Sequence, residues 1–257
     1  MTTTLVLSVH PEPKSFTATW AAATLAAARR QGHKVLVSDL YELGFDPADR
    51  GSLYTAPFAR FDPLKAQEEA TMSRSLPLDV AREAGKLIDA DLVVMHFPVW
   101  WFAPPAMLKG WLDRVLVHGL LHDVDHRFDR GRLRGKRALI CATSGATAVE
   151  AGPSGLEGDV RLALWPLYMT LRYLGIGVYE PMILHGVHGY HEGEDKAELD
   201  DRLTRVLRAQ NEVLATLPDR PLLTFNADGD FDAEGRLRPG APVHWPFTTL
   251  PEDAPAR

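Results

Sequence analysis

A single cysteine, Cys141, stands among 257 residues, so no disulfide within the chain can brace it. Cys141 lies inside the apolar run RALICAT, a place for a small buried side chain rather than a reactive thiol, and this usage suits a reducing cytoplasm. Neither G-x-G-x-x-G nor G-x-x-x-x-G-K-[ST] occurs, which argues against the dinucleotide fingerprint and the triphosphate loop. H-E-x-x-H is missing as well. No apolar run approaches the roughly 18 residues of a membrane span, and the opening MTTTLVLSVH carries no basic leader, so neither export nor an anchor is expected. A formal net charge of −6 leaves no broad basic footprint for nucleic acid or an anionic membrane. The one short basic cluster, RGRLRGKR at 130–137, leads into an apolar run and reads as the solvated rim of a sheet.

What is present is the material of one large core. Hydrophobic residues make up 46% of the chain, enough for a domain of this size with or without an appendage. Five apolar runs read as buried strands: Leu5–Val9, Lys34–Leu40, Asp91–Phe97, Arg137–Ala142 and Gly177–Leu184. Helical patterns separate or follow them, over Phe16–Arg30, Leu78–Ile88, the stretch after Pro104 and Pro105, Leu156–Leu174 with a bend near Pro166, and Glu194–Leu217. Strands alternating with helices predict a doubly wound α/β domain, a five-stranded parallel sheet with helices on both faces. Residues 1–217 would form it. Residues 41–76 and 218–257 carry Pro, Gly and Asp and little periodicity, and read as an irregular excursion and an irregular tail.

In such a sheet, ligands bind outside the carboxyl ends of the strands where strand order reverses. The loop after the first strand, HPEPKSFT, brings His10, Lys14, Ser15 and Thr17 to the mouth of a helix, where free amides and the helix dipole attract an anion such as phosphate; Ser15 capping the helix is the plainer alternative. After the fourth strand, Thr143, Ser144, Gly145 and Ala146 offer small side chains and open backbone, either to hold the edge of a flat ring or simply as a loose loop. After the third come Pro98, Val99, Trp100, Trp101 and Phe102, followed by two rigid prolines. Three aromatics at one strand end suggest a wall against which planar molecules stack.

Three segments together resemble one family. H-P-x-x-x-S-F at His10–Phe16, A-D-L-V-x-x-x-F-P-x-x-W-F-x-x-P-A-x-L-K-G-W at Ala90–Trp111, and T-S-G at 143–145 with G-L-x-G-D at 155–159 are similar to the flavodoxin-fold NAD(P)H:quinone oxidoreductases, the DT-diaphorase and modulator-of-drug-activity-B group. The resemblance covers roughly residues 4 to 215. It implies a flavoprotein enzyme carrying FAD, or FMN as in some relatives. His10, Ser15, Phe16 and Thr17 would hold the phosphates, Pro98, Val99, Trp100, Trp101 and Phe102 would meet the isoalloxazine, and Thr143, Ser144, Gly145 and Ala146 would line its edge. NADPH or NADH would reduce the flavin and leave, and a quinone would take the same slot, with Trp101, Phe102 and His122 contacting substrate. A cytoplasmic homodimer is implied, each site built from two chains, with ARFDP at Ala59–Pro63, and Asp62 within it, reaching the neighbouring flavin.

The sequence also departs from the animal enzymes. Where they carry a Tyr and a His beside the flavin, Ala151 and Glu157 align, and two substrate-pocket tyrosines align with His122 and Val124. Trp100 is closer to the bacterial branch. Rival readings are a regulatory flavoprotein subunit of a potassium-efflux transporter, an azo- or nitro-compound reductase on the same flavin chemistry, and a plain electron carrier. His118, His122, Asp123, Asp125 and His126 have spacings a metal could use on a helix, but Gly119 and the acidic continuation argue against a helix there, and no metal is expected. HGVHGYHEG at His185–Gly193 reads as a loop after the fifth strand, near the proposed flavin site.

Overall fold

The computed structural model describes residues 1–55 and 60–250. Its centre is one parallel sheet built from β1 (Thr3–Ser8), β2 (Lys34–Asp39), β3 (Leu92–Pro98), β4 (Arg137–Thr143) and a fifth row that begins with β5 (Gly177–Val178), in the order β2-β1-β3-β4-β5. This is the flavodoxin-like order, and strand order reverses between β1 and β3. Every residue of β3, and all but the first of β4, is buried, as expected of strands covered on both faces.

On one face α1 (Phe16–Arg30) and α7 (Gly193–Ala215) pack together over Val94, Leu139 and Cys141. Burial pushes the Cys141 thiol far up from its ordinary range. On the other face α3 (Leu78–Asp89), α4 (Ala106–Val115) and α6 (Trp165–Tyr173) cover Leu5, Leu7, Val93, Met95 and Ile140, with the short α5 (Val160–Ala163) leading into α6. Gly110 in α4 is required there, because a Cβ would stand 2.3 Å from Pro47.

Three expectations are corrected. The fifth row is two short strands, β5 (Gly177–Val178) and β6 (Met182–Leu184), so the sheet counts six. Both pieces pair with β4, but the register slips by one residue between them, from Arg137↔Gly177 to Cys141↔Met182. Pro181, with no N–H to give a ladder, sits in the break. The single bent helix over 156–174 is instead α5 and α6, broken at Leu164, with Pro166 in the first turn of α6. The excursion 41–76 is not wholly irregular: it holds α2 (Pro63–Met72), which packs Ala66 and Ala70 against Tyr54.

The tail is an edge cover. Tyr179 bridges Leu222 in antiparallel fashion, Leu223 N–H donates to the Val178 carbonyl at 2.8 Å, and Phe225 and Trp245 pack on the core beside Tyr168. An exposed β5 edge would otherwise invite pairing with another chain. No helix among the described residues is long and apolar enough to cross a membrane.

Candidate functional site

The loops that leave β1, β3 and β4 meet at the strand-order reversal. After β1, Ser15 caps α1 by accepting from the Ala18 amide at 3.2 Å, and His10 Nδ1 accepts from the Glu12 amide at 3.0 Å. Among the described residues nothing accepts from the amides of Phe16 and Thr17, so the positive end of α1 is open. The Phe16 ring itself turns away into the α1–α7 layer, 5.7 Å from Trp20, leaving only its backbone to the site. Thr17 Oγ1 lies 3.4 Å from Thr143 Oγ1, which ties this loop to the end of β4. The His10 ring meets the edge of Trp100 at 5.8 Å, which ties it to the end of β3.

Beyond Pro98 the chain doubles back. The Trp100 amide donates to the Ala103 carbonyl at 2.9 Å and the Ala103 amide returns the bond at 3.1 Å, closing a two-residue turn. Its central residues, Trp101 and Phe102, both have positive φ, 49° and 62°. Turns of this hand favour Asn-Gly, because a left-handed residue with a side chain costs about 1–2 kcal/mol. Here two large aromatics accept that strain and stand in solvent, Trp101 92% exposed. Strained residues of this kind cluster at ligand-binding and active sites, which makes this turn a candidate wall of the site.

Opposite the turn lies the β4 loop. Ser144 N–H donates to Leu184 O at 2.8 Å, Val187 N–H to Ser144 O at 2.9 Å and Gly186 N–H to Ala146 O at 2.8 Å, so the loop after β6 braces it. The amides of Gly145 and Ala146 have no acceptor among the described residues. Between turn and loop is a hollow of about 350 Å³ lined by Val99, Trp101 and Phe102 on one side and Ser144, Gly145 and Ala146 on the other. Ala151, Glu157, Gly158, Val160 and Ala163 complete it. Val160 and Ala163 carried no sequence signal of their own beyond the Asp159 cap that starts α5.

His122 is not brought to this hollow. It lines a separate, largely apolar cavity of about 780 Å³ with Leu64, Leu112, Leu116 and Tyr173, which meets the first hollow at Ala163. Burial lowers the His122 pKa, against the raising effect of its hydrogen bond to the Leu116 carbonyl. His118 and His122 face each other in a non-helical bridge, and among the described residues no three metal-binding side chains converge. Asp62 caps α2, accepting from the Lys65 amide; Ala59 of the ARFDP segment lies outside the described residues.

A family model described as the flavodoxin-like fold matches residues 2–208. The ribosyldihydronicotinamide dehydrogenase (quinone) of Mus musculus is 39% identical over 199 residues, 76% of this chain and 86% of that protein. The chain belongs to the flavodoxin-fold NAD(P)H:quinone oxidoreductase family. Another relative in it, NAD(P)H dehydrogenase (quinone) 1 of Cavia porcellus, is 32% identical over 188 residues, 71% of this chain and 68% of its own. Among solved structures, a quinone reductase assigned as such in Klebsiella pneumoniae superposes with a TM-score of 0.82 at 28% identity, over 93% of this chain and 95% of that one.

Proposed function

We propose that the protein is a flavin-dependent NAD(P)H dehydrogenase (quinone), and the observation that carries this is the hollow between the strained Trp101-Phe102 turn and the Ser144–Ala146 loop. The residues fit a flavin: flat aromatic surface for a ring, amides at Gly145 and Ala146 that have no acceptor among the described residues for its polar edge, and amides at Phe16 and Thr17 likewise without one for phosphate. A bound flavin supplies two-electron chemistry, hydride in from a reduced nicotinamide and hydride out to a quinone. The chain's own share is orientation and electrostatics. Trp101 and Phe102 hold planar partners parallel, the hairpin bonds at Trp100 and Ala103 keep that surface in place, and fixed amides meet negative charge as it develops. One open slot serving donor and acceptor in turn gives ping-pong kinetics.

In this reading residues 1–217 are the flavin-binding domain and 218–250 its edge cover. A cytoplasmic homodimer, with NADPH or NADH as donor and FAD rather than FMN, completes it. The apolar 780 Å³ cavity supports the dimer, since its lining would be covered and His122 brought to a neighbouring site. The test is a visible spectrum, then anaerobic NADPH, then a simple quinone. Flavin absorbance that bleaches and returns is the expected result. A flavin that stays oxidised favours a regulatory subunit, and a protein that cannot be reconstituted with flavin removes the reading. Chromatography of the released cofactor separates FAD from FMN.

A further inference from the structure

We propose that Glu157 sets the charge preference of the acceptor site, selecting neutral or cationic planar acceptors against anionic ones; this rests on the reading of the hollow as a ring site. Of the described residues lining the hollow, Glu157 alone is ionisable. Its backbone is held: its amide donates to the Glu150 carbonyl at 2.9 Å, Gly158 beside it has φ of 76°, and a Cβ on Gly155 would stand 2.0 Å from that same carbonyl. The loop therefore keeps Glu157 at the rim.

Its charge is also uncompensated. Among the described residues the Glu157 carboxylate has no hydrogen-bond or ion-pair partner. From Ala142 to Val160 there is no Lys or Arg. The nearest base along the chain, Arg161, is held by Glu180 at 2.7 Å. Glu150 is engaged with Thr147 and Asp159 caps α5, so both other acids of the loop serve its structure. The walls opposite, Val99, Trp101 and Phe102, contribute no charge. Glu157 is exposed at the mouth of this aromatic-walled hollow, so its negative charge repels a second one through solvent, a repulsion that salt screens.

The test uses a matched pair of acceptors, 1,2-naphthoquinone and its 4-sulfonate, with the flavin-loaded protein. Replacing Glu157→Gln is expected to raise kcat/KM for the sulfonate, relative to the neutral quinone, about tenfold, and Glu157→Lys to raise it further. In the unaltered protein, raising the ionic strength is expected to narrow the gap in the same direction. A ratio unmoved by both substitutions and salt overturns the proposal. Should neither quinone turn over, the flavin–quinone reading has failed, and the charge preference is then read from quenching of tryptophan fluorescence by the two compounds. A tenfold change in their Kd ratio on Glu157→Gln supports the selector, and an unchanged ratio removes it.

Discussion

Trp101 and Trp111 flank the same pair of prolines, one 92% exposed and the other fully buried. Trp111 sits on α4 with its indole N–H donating to the buried Glu83 carboxylate at 3.0 Å, and Glu83 in turn accepts from Ser38 and Lys86. Its area and its polar edge are both spent on joining α3 and α4 to the sheet. Trp101 stands almost wholly in solvent among the described residues and holds a backbone conformation that its side chain disfavours. An exposed aromatic at a strained turn adds little to stability, which fits the stacking role proposed for it. The contrast separates core from site better than composition could, since both residues belong to one motif.

Four measurements would break or sharpen this contrast. Trp111→Ala is expected to cost about 3–5 kcal/mol in urea unfolding, through lost area and a cavity; a loss below about 1 kcal/mol would mean that the buried tryptophan is no more structural than the exposed one. His96, on the strand that carries the aromatic turn, comes next. It is buried with neither ring nitrogen partnered among the described residues, and burial pushes its pKa down to about 3. The unfolded chain binds a proton there near pH 6.5, while the folded chain stays neutral until about 3, so stability is full above 6.5 and falls as pH drops through that window. Between pH 7 and 5 this group alone removes about 2 kcal/mol, and His96→Met is expected to flatten that slope. An identical slope in the variant would show that acid sensitivity comes from elsewhere.

The tail supplies an intermediate case. Trp245 donates its indole N–H to Thr224 O at 2.8 Å and stacks on Phe225 while remaining partly exposed. Trp245→Ala is expected to cost about 1–2 kcal/mol, less than the core tryptophan because less area leaves water on folding; thermal unfolding reads this directly. Smallest in stability is Trp101→Asn, which places a residue tolerant of positive φ in the turn. Unfolding free energy is expected to stay within about 1 kcal/mol of the parent, while binding of a planar quinone weakens about tenfold. Unchanged quinone binding would show that the turn is not a stacking wall.

Much of the frame was legible because burial on two faces writes near-continuous apolar runs. LVVMHFP and RALICAT could hardly be anything but central strands, and their order with the intervening helices pointed to the doubly wound sheet. The candidate site was legible as a set of loops, since small residues and aromatics stood out where strands ended. Less visible was the conformation that joins them. Nothing in Trp-Trp-Phe asks for two left-handed residues; the hairpin bonds between Trp100 and Ala103 impose them. The split of the last row was likewise hidden, because a one-residue slip leaves the apolar pattern of 177–184 intact and shows only as a register change against β4. Helix α2 was masked by its polar face and by its dependence on a small satellite cluster around Tyr54.

By itself, then, the order of residues determined which segments are buried, which alternate, and which loops carry unusual chemistry, because those properties depend on side-chain hydrophobicity and local steric preference. Only the tertiary structure decided that Thr17 meets Thr143, that His10 meets Trp100, and that His122 lines a cavity apart from Trp101. Such contacts join positions far apart along the chain, and their geometry comes from sheet register and loop closure, which no local pattern encodes.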